Sequence, residues 1–186
     1  MICHFYIELG ESNPLVWRRI VVPVNYTLYQ LHLAIQGAFG WENCHLFQFC
    51  YKNLSDAIGY GVPDVLDPDS EIFDAKSTKM SKVFKSIGQQ YIYIYDFGDH
   101  WVHRLTFEKI EAKEMGPYCI EGGGACPPED VGGLRGYQEM LEAFEKPASK
   151  ISREYRQWMG LVDKVEWDPE FFNIREVNKR LALLEG

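Results

Sequence analysis

Positive charge is scarce in this sequence. The 19 lysines and arginines stand against 27 aspartates and glutamates, which gives a formal net charge of -8 at pH 7. A surface field of this sign repels phosphate groups, so nucleic acid is not favoured as a partner. Arg18 and Arg19 form one of the few basic clusters, and we interpret this pair as part of a solvated face.

Long apolar runs are also lacking. No stretch approaches the roughly 18 consecutive apolar residues of a membrane-spanning helix, and the first residues lack the basic-then-apolar layout of a signal peptide. The sequence therefore predicts a cytoplasmic protein with no membrane partner.

Cysteines are few and odd in number. In the cytosol the five cysteines are expected to be thiols or metal ligands rather than disulfides. Cys119 and Cys126 are separated by six residues, a wider spacing than the two to four usual in a zinc-binding pair. Two thiols in a loop is the favoured interpretation, and their role stays open.

Core-forming residues are plentiful. Hydrophobic residues make up 46% of the chain and aromatic residues 15%, which is ample material for a buried core. The length favours a single domain over residues 1–186, with a sheet-forming part at 1–113 and a loop and helical part at 114–186. Helices gathered after a run of strands are typical of the α+β class.

The first third of the chain predicts a strand-strand-helix-strand unit. Residues 3–9 and 15–24 are rich in β-branched and aromatic side chains and flank a turn. Thr27 and Gln30 have the spacing of a capping box, and helical periodicity then continues until Gly40. Residues 45–51 alternate as a strand does. This order suits a mostly antiparallel or mixed sheet, with a β-grasp-like arrangement as one option.

The rest of the chain is predicted to contain short edge strands, a hairpin, a loop and helices. Residues 52–79 form an excursion with one or two short edge strands, and Asp64, Asp67 and Asp69 within it are interpreted as solvated rather than as a calcium site. A short helix at 80–87 precedes a hairpin of 90–95 and 101–110. Residues 116–133 are predicted as loop. The predicted helices that follow span 134–144, 152–160 and the stripe of residues 174–184.

The hairpin carries the richest cluster of chemistry. With a four-residue loop at 97–100, Asp96 lies opposite Trp101 and Ile94 opposite His103. Asp96 and His103 are then on one inward, otherwise apolar face. They are expected to form either a satisfied core pair or a site in which His103 faces a metal, a water or a substrate. Asp99 and His100 lie in the turn, where they complete a site or simply make the turn.

Further side chains are candidates for the same site. His45 begins a strand, and Glu129 and Asp130 follow two prolines. Histidine combined with carboxylate suits zinc, manganese or iron, so a divalent metal such as zinc is a candidate cofactor. His32 is interpreted as structural. The candidate metal ligands are His45, Asp96, His103 and Glu129.

The opposite face of the predicted hairpin carries Tyr91, Tyr93 and Tyr95. Tyrosine is favoured where a contact must be both apolar and polar. This stripe therefore predicts a surface that captures a protein or a small ligand.

Four segments together resemble a known family. They are VWRRI at residues 16–20, LHLAIQGAFGWENCHLFQF at 31–49, YDFGDHWVH at 95–103 and CIEGGGACPPEDVGGLRGY at 119–137. In combination they are similar to the root-inducing-plasmid (pRi) open-reading-frame-three-like family, also labelled a transposable-element passenger, resolvase-like family. The match runs from about residue 14 to the last helix. The sequence contains no serine-recombinase nucleophile motif and no basic helix-turn-helix.

That family is largely uncharacterised, so the resemblance implies a fold more than an activity. The favoured function is a non-enzymatic binding or accessory module associated with mobile genetic elements. The alternative is a metal-dependent hydrolase or nucleic-acid-processing enzyme that uses a His/Asp/Glu site. Whether the protein is an enzyme stays open at this point.

Overall fold

A computed structural model describes the chain over residues 1–51, 59–63, 72–161 and 166–185. The strands are β1 Ile2–Leu9, β2 Trp17–Pro23, β3 Phe47–Cys50, β4 Gly59–Gly61, β5 Ile72–Asp74, β6 Gln90–Tyr95, β7 Trp101–Glu111 and β8 Tyr118–Gly123. The helices are α1 Leu28–Phe39, α2 Met80–Val83, α3 Gly133–Phe144, α4 Lys150–Trp158 and α5 Ile174–Ala182, followed by a 3-10 turn at Leu183–Glu185. The predicted α+β class is confirmed.

The strands form one eight-stranded sheet in the order β5-β4-β3-β6-β7-β1-β2-β8. Neighbouring strands run antiparallel except β4 and β5, which are parallel. The sheet is therefore mixed but mostly antiparallel, as predicted. The two short edge strands expected between residues 52 and 79 are β4 and β5. Asp64, Asp67 and Asp69 lie outside the described residues.

The helix α1 packs across one face of this sheet. Thr27 and Gln30 form the predicted capping box, and Gly40 ends the helix in the left-handed region at a φ of 95°. The His32 ring stacks on Phe47 of β3 with centroids 3.6 Å apart, and Phe39 meets His103 of β7 edge-on at 4.9 Å. These contacts place the aromatic core between α1 and the middle of the sheet.

The last helix closes the far end of the core. On α5, Asn178 holds β8 by two hydrogen bonds: its side-chain oxygen accepts from the Cys119 N–H, and its amide donates to the Cys119 carbonyl. Arg180 donates from Nε to the carbonyl of Gly37 on α1 at 2.8 Å. The helix α5 therefore ties the C-terminal part of the chain to both α1 and the sheet.

Two of the predicted elements are corrected by the structure. The segment 116–133 is not all loop, because β8 pairs with the edge of β2. The glycines of β8 are required there: a Cβ on Gly123 would lie 2.7 Å from the Trp17 ring nitrogen, and one on Gly122 would lie 2.8 Å from the Phe172 ring. The helix α2 ends at Val83, since Phe84 has extended backbone.

Arg18 and Arg19 do not form the solvated basic face that was expected. Arg18 is buried, with 3% of its surface exposed. Arg19 lies on the opposite face of the sheet, where it pairs with Glu108 and Glu121. Within the described residues, no helix has the length and apolar character that crossing a membrane requires.

Candidate functional site

The hairpin register differs from the prediction by one residue. Tyr95 pairs with Trp101 and Tyr93 with His103, so the connection comprises the five residues 96–100 rather than four. Because side chains alternate along a strand, this shift exchanges the two faces. Asp96 therefore does not share a strand face with His103, as the predicted register required, but lies at the start of the connection.

His103 is a core residue. It is fully buried, and Phe39, Trp41 and Tyr93 surround its ring. Nδ1 lies 3.3 Å from the Tyr93 carbonyl oxygen, while Nε2 has no hydrogen-bond partner. Burial lowers the pKa of His103 to about 3, so the ring is neutral. Among the described residues no hydrogen bond or ion pair joins it to Asp96, and the predicted pairing of these two residues is wrong.

The tyrosine stripe is also part of the core. Tyr91, Tyr93 and Tyr95 are 7%, 0% and 0% exposed. Tyr93 accepts a hydrogen bond from Gln36 and contacts His32 of α1 through its hydroxyl. The three rings cannot serve as an exposed capture surface, because the register shift places them on the buried face of the sheet.

Asp96 is held in an unusual conformation. Its φ is 56°, in the left-handed region, and its backbone N–H donates to the Leu46 carbonyl at 2.9 Å. Its Oδ1 accepts from the Gly98 N–H at 2.8 Å. These bonds leave Oδ2 facing His45, with Nε2 of His45 at 3.7 Å.

His45 lies among three carboxylates. Its Nε2 is 3.1 Å from Asp130 Oδ1, 3.7 Å from Asp96 Oδ2 and 3.9 Å from Glu129 Oε2. Yet this buried nitrogen makes no hydrogen bond of acceptable geometry to any described residue. One ligand atom each from His45, Asp96 and Asp130 lies within 4.8 Å of the others. A ring nitrogen and carboxylate oxygens that converge without directional hydrogen bonds have the donor set of a divalent metal site.

Glu129 is the best anchored of the three acids. Its Oε1 accepts from the Tyr95 hydroxyl at 3.0 Å and from the Glu42 N–H at 2.8 Å. Tyr95 in turn accepts from the Cys44 N–H, and burial raises the pKa of its phenol. Oε2 of Glu129 is buried and has no hydrogen-bond partner in the part of the chain that the structure describes. The carboxylate therefore keeps one oxygen available beside His45.

The proline-glycine loop, residues 124–132, is held from two sides, by the connection of the hairpin and by the residue Trp41 that follows α1. Asp99 accepts from the Gly132 N–H through Oδ2, and Trp41 donates from its indole to the Pro127 carbonyl at 3.1 Å. Asp130 has a left-handed φ of 56°. This bracing delivers Asp130 to His45 although the two are far apart in sequence. The sequence put both residues forward, but it could not show that Asp130 would lie closer to the imidazole than Glu129.

The other candidates have structural surroundings. His32 is fully buried between the Tyr93 hydroxyl and the Asn43 side chain, and burial lowers its pKa to about 4. His100 is exposed in the turn at a φ of 58°. Burial raises the pKa of Cys119 to about 11 and raises that of Cys126 further. Both cysteines are free thiols, and neither belongs to the cluster around His45.

The comparisons with known proteins cover nearly the whole chain. Residues 1–176 match the family model described as plasmid pRiA4b ORF-3-like protein. The uncharacterized protein y4hQ of Sinorhizobium fredii (strain NBRC 101917 / NGR234) is 37% identical over 175 residues, which is 93% of this chain and 87% of that protein. A crystal structure of the protein of unknown function MM3350 from Methanosarcina mazei Go1 is similar, with a TM-score of 0.78 and 32% identity over 94% of this chain and 96% of that one.

Proposed function

This chain belongs to the plasmid pRiA4b ORF-3-like protein family, and we propose that it is a metal-binding module whose ligands are His45, Asp96 and Asp130. The observation that carries the proposal is the convergence of their three ligand atoms within 4.8 Å. Glu129 supplies a fourth oxygen from the same loop. Association with mobile genetic elements stays a prediction.

The arrangement favours a transition metal over calcium or magnesium. Calcium and magnesium prefer all-oxygen sites, whereas an imidazole nitrogen suits zinc, iron or manganese. A site of one histidine and two or three carboxylates also leaves a position for water or a ligand. Zinc should bind more tightly than manganese, following the general order of divalent metal affinities.

Removing one carboxylate tests the proposal. In Asp130→Asn the side-chain shape is kept and the left-handed backbone is tolerated, but the negative charge beside His45 is lost. We expect untagged wild-type protein from zinc-supplemented medium to contain close to one equivalent of metal by elemental analysis. Calorimetry of the apoprotein should show zinc affinity lowered about tenfold or more in the variant.

A variant on α3 provides the matched control. Glu142→Gln also removes one exposed carboxylate, and Glu142 accepts a hydrogen bond from Gln138 in the same helix. Its zinc affinity should equal that of the wild type. Wild-type protein without stoichiometric metal, or Asp130→Asn with unchanged zinc affinity, would contradict the proposed site.

A further inference from the structure

A second feature of the molecule is a cavity of about 790 Å³ between the proline-glycine loop, α1 and the segment that leads into α5. That volume is in the range of pockets that hold small organic molecules. Aromatic rings form much of its wall: Phe39, Trp41, Trp167, Phe171 and Phe172. The cavity therefore offers an apolar, π-rich lining.

Carboxylates outnumber cationic side chains among the described residues of the cavity wall, and the two kinds of group differ in how many contacts they already make. Five carboxylates line the cavity: Glu42, Glu129, Glu166, Asp168 and Glu176. Among the described residues, two cationic side chains, Arg18 and Arg180, line it with them. Glu42, Glu166 and Asp168 are exposed at its mouth. Within the described part of the chain, no hydrogen bond or ion pair engages the carboxylates of Glu42 and Glu166.

The guanidinium group of Arg18 is engaged by the protein through all of its nitrogens, and that of Arg180 is engaged through Nε. Arg18 donates to the carbonyls of Ala38, Trp17, Gly123 and Gly124. Its guanidinium also lies over Phe39 and Phe172, 5.2 and 4.6 Å from the ring centroids. Arg180 donates to the Gly37 carbonyl. These contacts leave both positive charges in place, so the cavity favours a cation only because its carboxylates outnumber them, and the Phe39 and Phe172 rings are already taken by Arg18.

The rings of the wall that Arg18 does not cover are those of Trp41, Trp167 and Phe171, and carboxylates stand around the mouth. A cation placed over an aromatic face is attracted by the ring quadrupole, most strongly over tryptophan. Carboxylates nearby add Coulomb attraction, and the chain's net charge of -8 has the same sign. We propose that this cavity binds a small organic cation, with an alkylated ammonium head between the Trp167 side and the acidic mouth. This inference goes beyond metal binding and does not depend on it.

The experiment uses benzyltrimethylammonium as the probe and intrinsic tryptophan fluorescence as the signal, because Trp41 and Trp167 line the cavity. A quaternary ammonium has no lone pair and cannot ligate a metal, and the Asp130→Asn variant shows whether the probe binds instead at the acidic cluster around His45. We expect saturable binding to metal-free protein in EDTA. The anion phenylmethanesulfonate, of similar size, should bind about tenfold more weakly or not at all.

Matched variants locate the bound cation. Glu166→Gln combined with Asp168→Asn should weaken binding about tenfold, whereas Glu170→Gln, which removes a neighbouring exposed acid outside the lining, should leave it unchanged. Phe171→Leu should also weaken binding. Phe97→Leu serves as its control, since both phenylalanines are exposed, at 57% and 48%, and Phe97 lies outside the lining.

The outcomes separate this inference from the proposed metal site. Asp130→Asn should bind the probe as the wild type does. Absence of probe binding to protein that takes up zinc overturns the cavity inference alone. Tighter binding of the anion, or equal losses in the control variants, also overturns it.

Discussion

Two imidazoles, those of His32 and His103, are fully buried in the core of the protein. Nδ1 of His32 lies 2.8 Å from the Tyr93 hydroxyl. Phe39, Trp41 and Tyr93 surround the ring of His103. Because protonation would place a positive charge in these surroundings, burial holds both rings in the neutral form.

These two histidines predict acid sensitivity. Burial lowers the pKa of His32 to about 4 and that of His103 to about 3, against 6.5 in the unfolded chain. Below pH 6.5 these two histidines therefore bind protons in the unfolded chain that they do not bind in the folded protein. The stabilisation is complete above pH 6.5 and is lost as the pH falls toward the folded pKa values. The free energy of unfolding should fall by about 2 kcal/mol per histidine between pH 7.5 and 5.

Urea unfolding at several pH values measures this loss. Burial also lowers the pKa of His4, so it contributes in the same direction. Carboxylates with depressed pKa values, such as Glu111 and Glu176, act mainly below their ordinary value of 4.5, which is why the measurement stops at pH 5. A constant or rising free energy of unfolding on acidification to pH 5 would show that the two rings are not buried in neutral form.

Elements with strong local signals were predicted well. The helix α1 has a capping box, an apolar stripe and a left-handed glycine at its end, and its predicted start and end agree with the structure. The β6–β7 hairpin was also predicted, but its connection has five residues instead of four. Because the side-chain period of a strand is two, that single residue moved the tyrosines into the core and Asp96 out to the site.

The strand β8 was missed for a different reason. Its glycines led to the prediction of a loop, but the strand needs them because Trp17 and Phe172 lie close to its backbone. The position of Asp130 beside His45 could not be predicted for a similar reason. It depends on the contacts of the loop after β8 with Trp41 and Asp99. Contacts of this kind join residues that are distant in sequence, so local sequence patterns do not predict them.

Gly136 provides a test at the scale of the helix α3. A Cβ at this position would lie 1.8 Å from the Val131 carbonyl oxygen, because the first turn of α3 packs directly on the loop that carries Asp130. Gly136→Ala should lower the free energy of unfolding by about 2 kcal/mol or more, despite the higher helix propensity of alanine. Thermal or urea unfolding would measure the change.

Gly160 is the appropriate comparison. Its φ is 67° and no heavy atom of the described residues lies within 4 Å of a Cβ built there, so we expect Gly160→Ala to add backbone strain of about 1 kcal/mol. If Gly136→Ala is no more destabilising than Gly160→Ala, then α3 does not approach the loop as closely as the structure indicates.

At the scale of the whole molecule, the sheet-forming part and the helical part are joined at several places. The strand β8 completes the sheet against β2, and α5 holds both β8 and α1. Arg18 of β2 donates to the carbonyls of Gly123 and Gly124. Residues 114–186 therefore supply contacts that the core of residues 1–113 needs.

This interdependence predicts that the chain unfolds as one cooperative unit. Leu181 of α5 is fully buried and lies against Gly37 of α1, so Leu181→Ala should cost about 2 to 5 kcal/mol through lost burial and the cavity left behind. In a single cooperative unit, this loss lowers the free energy of unfolding for the sheet as well as for the helices. Urea transitions followed by far-ultraviolet circular dichroism and by tryptophan fluorescence should stay superimposed and shift together. Two separated transitions, with only one moved by Leu181→Ala, would mean that the helical part unfolds independently of the sheet that carries His45 and Asp96.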